Sequence, residues 1–390
     1  MQRRRHVTNL ATAAAVLLTL ALAACGAGAA TSNSKLSGSQ AKAAAAILAS
    51  SKAAVAAATS PVTTWDGPTT GPKAQKNKFI VYVSEDQNNA GAAGVGAGVE
   101  QAAKEIGWKF KLIDAGGTVE GETSAMNQAI ALKPDGIVIG AIDVSLVSKQ
   151  LAECKQLGIP VVGWHSASNP GPVQSPPLFT NVQSNLADSA TLLTQYVIAT
   201  TDAKAQVVIM TWNLYAASIE KADAMRTEIK KCVTCKLLSF DNSPLTTAST
   251  RMPTYTASLA QRFRGKLTDV MMFNDGFADY MAPALRSLGI PGSGSGSISL
   301  VSAGDGSNTA YNRIRSGEYQ TATIPEPLNE HGWQIVDDLN RAFAGDPPST
   351  YVTPLHLIVK SDVNLDGGSK DVFDPNNNYE GHYKAIWGVG

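Results

Sequence analysis

The chain of 390 residues carries 32 basic and 32 acidic residues, and 44% of it is hydrophobic. That length suits two domains of ordinary size, and the neutral balance argues against a strongly basic surface and so against nucleic acid as a partner. Beyond the apolar run at the start of the chain, no second long one stands out, so no membrane-spanning segment is expected.

Basic "MQRRRH" and apolar "NLATAAAVLLTLALAA" follow the plan of a secretory signal over residues 1–24. Arg3-Arg4-Arg5 leaves twin-arginine export open, although the pattern after it favours the general route. Leu22-Ala23-Ala24-Cys25-Gly26 resembles the lipobox of bacterial lipoproteins, whose cysteine becomes the diacylated first residue of the mature chain. An ordinary signal with an incidental cysteine is the alternative. Two acyl chains suffice for stable anchoring, so the resemblance implies lipidation at Cys25 and a mature protein at the outer face of the cell membrane. Cleavage takes away three arginines and no acid, leaving the remainder mildly acidic.

Residues 25–77 read as a lipid-anchored tether: flexible "GAGAATSNSKLSGSQ", the weakly amphipathic "AKAAAAILASSKAAVAAA" as a marginal helix, then a proline-broken, extended stretch. From Lys78 the periodicity alternates. "KFIVYVS", "WKFKLID", "GIVIG" and "IPVVGW" are expected strands, separated by helices over 90–106, 120–132 and 146–157. "QVVIM", "KLLSF", "DVMMF" and "SISLV" repeat the pattern, with helices through 215–230, around Thr256 and from Phe277. Short apolar strands alternating with helices mean parallel sheets covered on both faces. The fold class is therefore α/β, with two doubly wound, Rossmann-like lobes.

Cys154 falls on an apolar stripe and reads as a buried thiol. Cys232 and Cys235 form C-x-x-C after a helix and before a strand, whereas a redox pair would sit at a helix N-terminus. In an oxidising exterior a disulfide is the expected state. Zinc would need two further ligands, and none is evident nearby. "AGAAGVGAG" completes no dinucleotide fingerprint in any frame, and Gly94 and Gly98 fit close helix packing better. Asp362, Asn364, Asp366 and Gly367 open like a calcium loop, but Phe373 stands where the closing Glu is needed, which favours a polar turn. No cofactor and no metal are expected.

Many expected strands end in polar or aromatic clusters: Ser84-Glu85, Trp164-His165, Trp212-Asn213, Asn274-Asp275 and Asp305. Ligands in open α/β sheets bind outside the carboxyl ends of the strands, so two facing sheets would pool these groups in one cleft. Asn274 is then a ligand contact and Asp275 the cap of the following helix; both as caps is the plainer alternative.

"GIPVVGWHS", "FNDGFADYMAPALRSLGI" and "SAGDGSNTAYNRIRSGEYQTATIPEPLNEHGWQIVDDLNRAFAGDPP" carry a resemblance, by order and spacing over about 280 residues, to the type I periplasmic binding proteins. These are the ribose-binding-like receptors of sugar ABC transporters. The resemblance implies two lobes joined by three crossovers: residues 78–185 with 325–348, and 186–324 with 351–360, followed by a tail over 361–390. It implies ligand contacts at Asn274 and Asp305, and at Glu326 after "ATIP", where a Gln is common. Trp164 and His165 stand where an Asp-Arg or Asp-Asn pair is frequent, and Glu85 and Asn88 fall in the first binding loop. Trp212 and Asn213 complete the expected site.

The sequence also departs from the pattern. "NAGAAG" replaces an aromatic pair, and the arginine expected early in the second lobe's first helix is missing, with Ile219, Glu220 and Lys221 as candidates in its place. Trp164, Trp212, Tyr215 and Phe277 offer other stacking faces, with rim packing the alternative for Trp212 and Phe277. The implied function is a monomeric substrate-binding lipoprotein that hands a sugar or related polyol to an ABC permease. A receptor that presents its closed form to a membrane sensor is the rival reading, and a secreted enzyme is a distant third.

Overall fold

The computed structural model describes residues 36–390; the expected signal segment and Cys25 lie outside them. Residues 38–390 form one compact unit. In chain order its elements are α1 (Gly38–Ala58), β1 (Phe79–Ser84), α2 (Ala90–Glu105), β2 (Lys109–Asp114), α3 (Val119–Ala131) and β3 (Gly136–Gly140). There follow α4 (Ser148–Leu157), β4 (Val161–Trp164), β5 (Gly171–Val173), β6 (Leu178–Val182), α5 (Leu186–Thr200), β7 (Gln206–Thr211), α6 (Ala216–Lys231) and β8 (Lys236–Asn242). The remainder comprises α7 (Ala248–Arg262), β9 (Asp269–Met272), α8 (Ala278–Ser287), β10 (Ser299–Ser302), α9 (Asn308–Ser316), β11 (Gln320–Thr323), α10 (Leu328–Ala344), β12 (Ile358–Val359) and α11 (Tyr379–Trp387).

The strands form two six-stranded sheets, ordered β2-β1-β3-β4-β6-β5 and β12-β11-β10-β9-β7-β8. Every pairing is parallel except the edge strands β5 and β12. Pro172 sits in edge strand β5, a position where its missing N–H costs no ladder bond. Strands β1 and β3 are almost wholly buried, as apolar runs covered on both faces must be. Strands β5 and β6 were not expected, because the proline- and glycine-rich stretch before them hides their pattern. The returning segment expected over 351–360 contributes only the two residues of β12.

In the first lobe α2 and α10 cross at glycines. A Cβ on Gly332 would meet the Gly98 backbone at 2.4 Å, and one on Gly98 would meet the Asn329 carbonyl oxygen at 2.9 Å. Tyr82, Val95, Val99, Trp333, Tyr383 and Trp387 fill the core beneath, so the tail helix α11 belongs to this lobe's core.

The stretch expected as a marginal helix is a continuous helix of 21 residues. By length and composition α1 could cross a membrane, contrary to the expectation of no such segment, yet here it docks on the second lobe. Ile47, Leu48, Ala54 and Val55 pack against that lobe's core, and Ser51 is fully buried. Tertiary contact thus decides what weak amphipathicity left open.

The lobes are joined at 183–185, 324–327 and 345–357. Two more passages come from the ends of the chain. From α1 on the second lobe, the chain reaches Trp65, which stacks on His382 beside the first lobe's Tyr383. Val363 and Phe373 pack against Tyr311 of the second lobe, and α11 then returns to the first. The turn beginning at Asp362 is spent on structure, with the Val62 amide donating to Asp366 at 2.9 Å and the Val359 amide to Asp362 at 2.7 Å.

Candidate functional site

The carboxyl ends of the strands from both sheets converge on one cleft, in two connected parts of about 60 and 270 Å³. Glu85, Asn89, Leu245, Asn274 and Asp305 line both parts. The end of β1 supplies Glu85, and Asn89 caps α2 by accepting from the Gly91 amide at 3.1 Å. After β4 the backbone turns through a left-handed conformation at His165 (φ 51°), a strained choice for a side chain of this size. That turn lays the imidazole flat on Trp164, with ring centroids 3.9 Å apart and planes 7° from parallel.

The second lobe answers with Trp212 after β7, packed at 4.3 Å against Tyr215 at the cap of α6, and with Ser218 and Lys221 in the first turns of that helix. The ends of β9 and β10 bring Asn274 and Asp305. The Asn274 amide donates to Asp305 Oδ2 at 2.8 Å. Asp305 Oδ1 faces Lys221 Nζ and His165 Nδ1, each at 3.8 Å, and has no hydrogen bond within the protein.

Of the expected residues, Glu85, Trp164, His165, Trp212, Asn274 and Asp305 line the inner cavity. Asn88 stands only at the outer mouth, exposed, with its side chain turned to Asp86. Asn213 does not line the cleft: its amide donates to Asn242, and its side chain faces solvent. Phe277 is fully buried against Phe273, so rim packing describes it better than stacking on a ligand.

Asn274 both caps the following turn, accepting from the Gly276 amide at 2.9 Å, and faces the cleft. Asp275, expected as the cap, is instead buried beneath β10 and β11. There it accepts from the Gly306 amide at 2.9 Å and from Gln320 at 2.6 Å, because the neighbouring strand ends present donors closer than its own helix does.

Glu326 also departs from expectation, since it lies behind the cleft wall rather than in it. Its carboxylate accepts from the Ser184 hydroxyl at 2.7 Å and meets His165 Nε2 at 3.3 Å. Ser184 in turn bonds Thr353 at 2.9 Å, and Thr353 bonds His331 at 2.7 Å. Residues on all three central connections are therefore linked to one buried carboxylate, Thr353 through Ser184.

Burial alone would raise the Glu326 pKa; the His165 hydrogen bond and the charges around it outweigh burial and hold it below the ordinary range. The indole of Trp164 donates to His331 Nδ1 at 3.1 Å, so that ring is neutral with its proton on Nε2. Burial pushes its pKa down to about 4, which agrees. The 3.6 Å approach of His331 to Glu326 is then no ion pair.

Besides the approach of His165 to Asp305, two hydrogen bonds among the described residues bridge the lobes across the cleft. Tyr215 donates to Glu122 at 2.7 Å, and the Ala216 amide at the start of α6 donates to Asp143 at 2.9 Å. Burial raises Glu122 to about 7, opposed by the Tyr215 bond. Burial likewise raises Glu85 to about 8, opposed by Asn89, with Asp86, Glu122 and Asp114 pushing it further up.

Lys221 is the group that sequence reading located only as one of three candidates. The i, i+3 spacing of Tyr215, Ser218 and Lys221 would have marked the inward face of α6. Glu122, Ser184 and Thr353 gave no local signal, since their partners lie far along the chain. Cys232 and Cys235 are joined as a disulfide, and Cys154 is a buried free thiol. Among the described residues no cluster of three or more potential ligands could hold a metal ion.

The family model of the periplasmic binding protein domain matches residues 80–347. No curated protein matches the chain significantly. Among solved structures, an ABC transporter solute-binding protein from Agrobacterium vitis bound with α-D-tagatopyranose aligns at TM-score 0.67 and 17% identity, over 76% of this chain and 99% of its own. A second from Agrobacterium vitis, with bound allitol, aligns at 0.64 and 18%, over 74% and 97%. The arabinose ABC transporter component from Shewanella sp. ANA-3, bound to L-arabinofuranose, aligns at 0.62 and 18%, over 79% and 96%. At such identities the likeness shows a shared fold. The family model spans well over half the chain and accounts for the paired sheets and the cleft between them: the chain belongs to the periplasmic binding protein domain family.

Proposed function

We propose that the protein is the solute-binding subunit of an ABC importer, capturing a small polyhydroxylated solute between two closing lobes and delivering it to a permease. One observation carries this reading. Planar hydrogen-bonding groups and flat aromatic faces from both lobes line a single cleft at the carboxyl ends of both sheets, a constellation suited to hydroxyls and the ring face or carbon chain between them. Its similarity to proteins bound with tagatopyranose, allitol and arabinofuranose supports a sugar or polyol.

Capture would begin on one lobe. Closure would bring Tyr215 to Glu122 and α6 to Asp143, expelling water from the ligand's hydroxyls. Cys25, as the lipid-bearing first residue, would hold the mature protein at the outer face of the cell membrane; the disulfide suits that oxidising compartment.

A thermal-shift screen of the signal-less protein against sugars and polyols tests the reading. A ligand at a hundred times its dissociation constant should add about 2.7 kcal/mol to stability. If no sugar or polyol raises the melting temperature, the assignment fails. Cys25→Ser should release the protein from the membrane fraction or leave it unprocessed, and unchanged attachment would refute the anchor.

A further inference from the structure

Carboxyl groups outnumber cationic side chains around the cleft. Glu85 and Asp305 line it, both buried, with Glu326 and Glu122 immediately behind the wall. Against these four carboxylates the structure sets Lys221, paired to Asp305, and the His165 ring shared between Asp305 and Glu326. His331 is neutral, as its bond from the Trp164 indole requires.

Glu85 is left over. It is 3% exposed, takes part in no ion pair among the described residues, and receives only a long 3.4 Å side-chain bond from Asn89. Its surroundings on its own lobe are acidic, with Asp86, Glu122 and Asp114 near enough to act on its charge. Asp305 Oδ1, also facing the cavity, is buried with no hydrogen-bond donor. Burying a carboxyl without full partners is costly, and Glu85 together with the unbonded Oδ1 of Asp305 gives the lining of one cavity an acceptor set short of donors. The remaining wall is aromatic: Trp212, Tyr215 and Trp164 line it, and aromatic rings attract cations.

Resting on the sugar-binding reading above, we propose that the solute carries a protonated amine, and that Glu85 and Asp305 hold this ammonium while the aromatic wall and Asn274 hold its carbon skeleton and hydroxyls. An ammonium offers three donors and one positive charge, which would let the buried Glu85 carboxyl ionise and give the unbonded oxygen of Asp305 a donor. A neutral sugar would answer only the hydrogen bonds.

Calorimetric titration of the signal-less protein with matched sets tests this. D-glucosamine is compared with D-glucose and N-acetyl-D-glucosamine, and 1-amino-1-deoxy-galactitol with galactitol, at a pH where the amines are protonated. The amine is expected to bind at least about tenfold tighter than its neutral partners in one or both sets, the order of a charge-assisted bond. Glu85→Gln, checked for folding by circular dichroism, should abolish that preference. Neutral members binding as tightly as the amines would overturn the ammonium site and leave the solute-binding reading standing. A preference that survives unchanged in Glu85→Gln would also overturn the site. If no member of either set binds, the ammonium site falls, while the thermal-shift screen above decides the solute-binding reading separately.

Discussion

Asp305 is held by contacts that make its replacement unequal to that of its neighbour Asn274. Removing the carboxylate strands Lys221, whose side chain is 4% exposed and whose other contact is a 3.5 Å bond to the Phe273 carbonyl. Breaking a buried pair by deleting one partner costs about 3–5 kcal/mol. Asp305→Ala should therefore lower unfolding stability by an amount approaching that range in urea titration. Asn274→Ala, which loses a cap and one bond, should cost about 1–2 kcal/mol. Equal losses would mean that Lys221 finds another partner.

Most of this residue-level site could be read from strand ends, because polar groups after apolar strands have few structural uses. Asn274, Asp305, Glu85 and the Trp164-His165 pair follow that logic. Glu326 and Asn213 do not, for different reasons. Glu326 sits at the right place in the chain but is drawn behind the wall by Ser184 and His165, partners 142 and 161 residues away. Asn213 is one residue too far, in a turn that faces it outward.

At the scale of elements, the crossing of α2 and α10 is set by glycine rather than by propensity. Gly332→Ala would drive a methyl group into the Gly98 backbone, which cannot swing aside as a side chain would. A loss of about 1–3 kcal/mol is expected in urea unfolding, and an unchanged midpoint would show that the helices can part. The spacing of Gly94 and Gly98 announced close packing, but nothing local named α10 as the partner. Helix α1 poses the opposite case. Its alanine-rich sequence forms a helix readily but has no strong face, and only the α5 surface fixes one. Val55→Asp should release it, detected as new proteolytic cleavage between α1 and Trp65; continued resistance would mean that the docked face is not what protects this segment.

For the whole molecule, the raised carboxyls at the lobe interface couple closure to pH. Glu85 and Glu122 sit at about 8 and about 7 in the closed form, against an ordinary value near 4.3 in water. The closed form thus holds protons that the open, hydrated form would release. Raising the pH from about 5 to above 8 should favour opening of the ligand-free protein, with its driving force growing through that window and levelling off above the higher value. Small-angle scattering should report a larger radius of gyration at the alkaline end. A radius that shrinks or stays constant would show that these groups do not change surroundings on opening.

The central claim is that one ligand is gripped by both lobes at once. Isothermal titration of His165→Ala and Asn274→Ala with the ligand identified by screening tests it most directly, since these residues lie on opposite lobes and both line the inner cavity. Each truncation should weaken binding by about 1–3 kcal/mol, the cost of an unpaired polar group in a closed, dry site. Loss in both variants is the predicted result. Parent-like affinity in either variant would contradict a shared cleft.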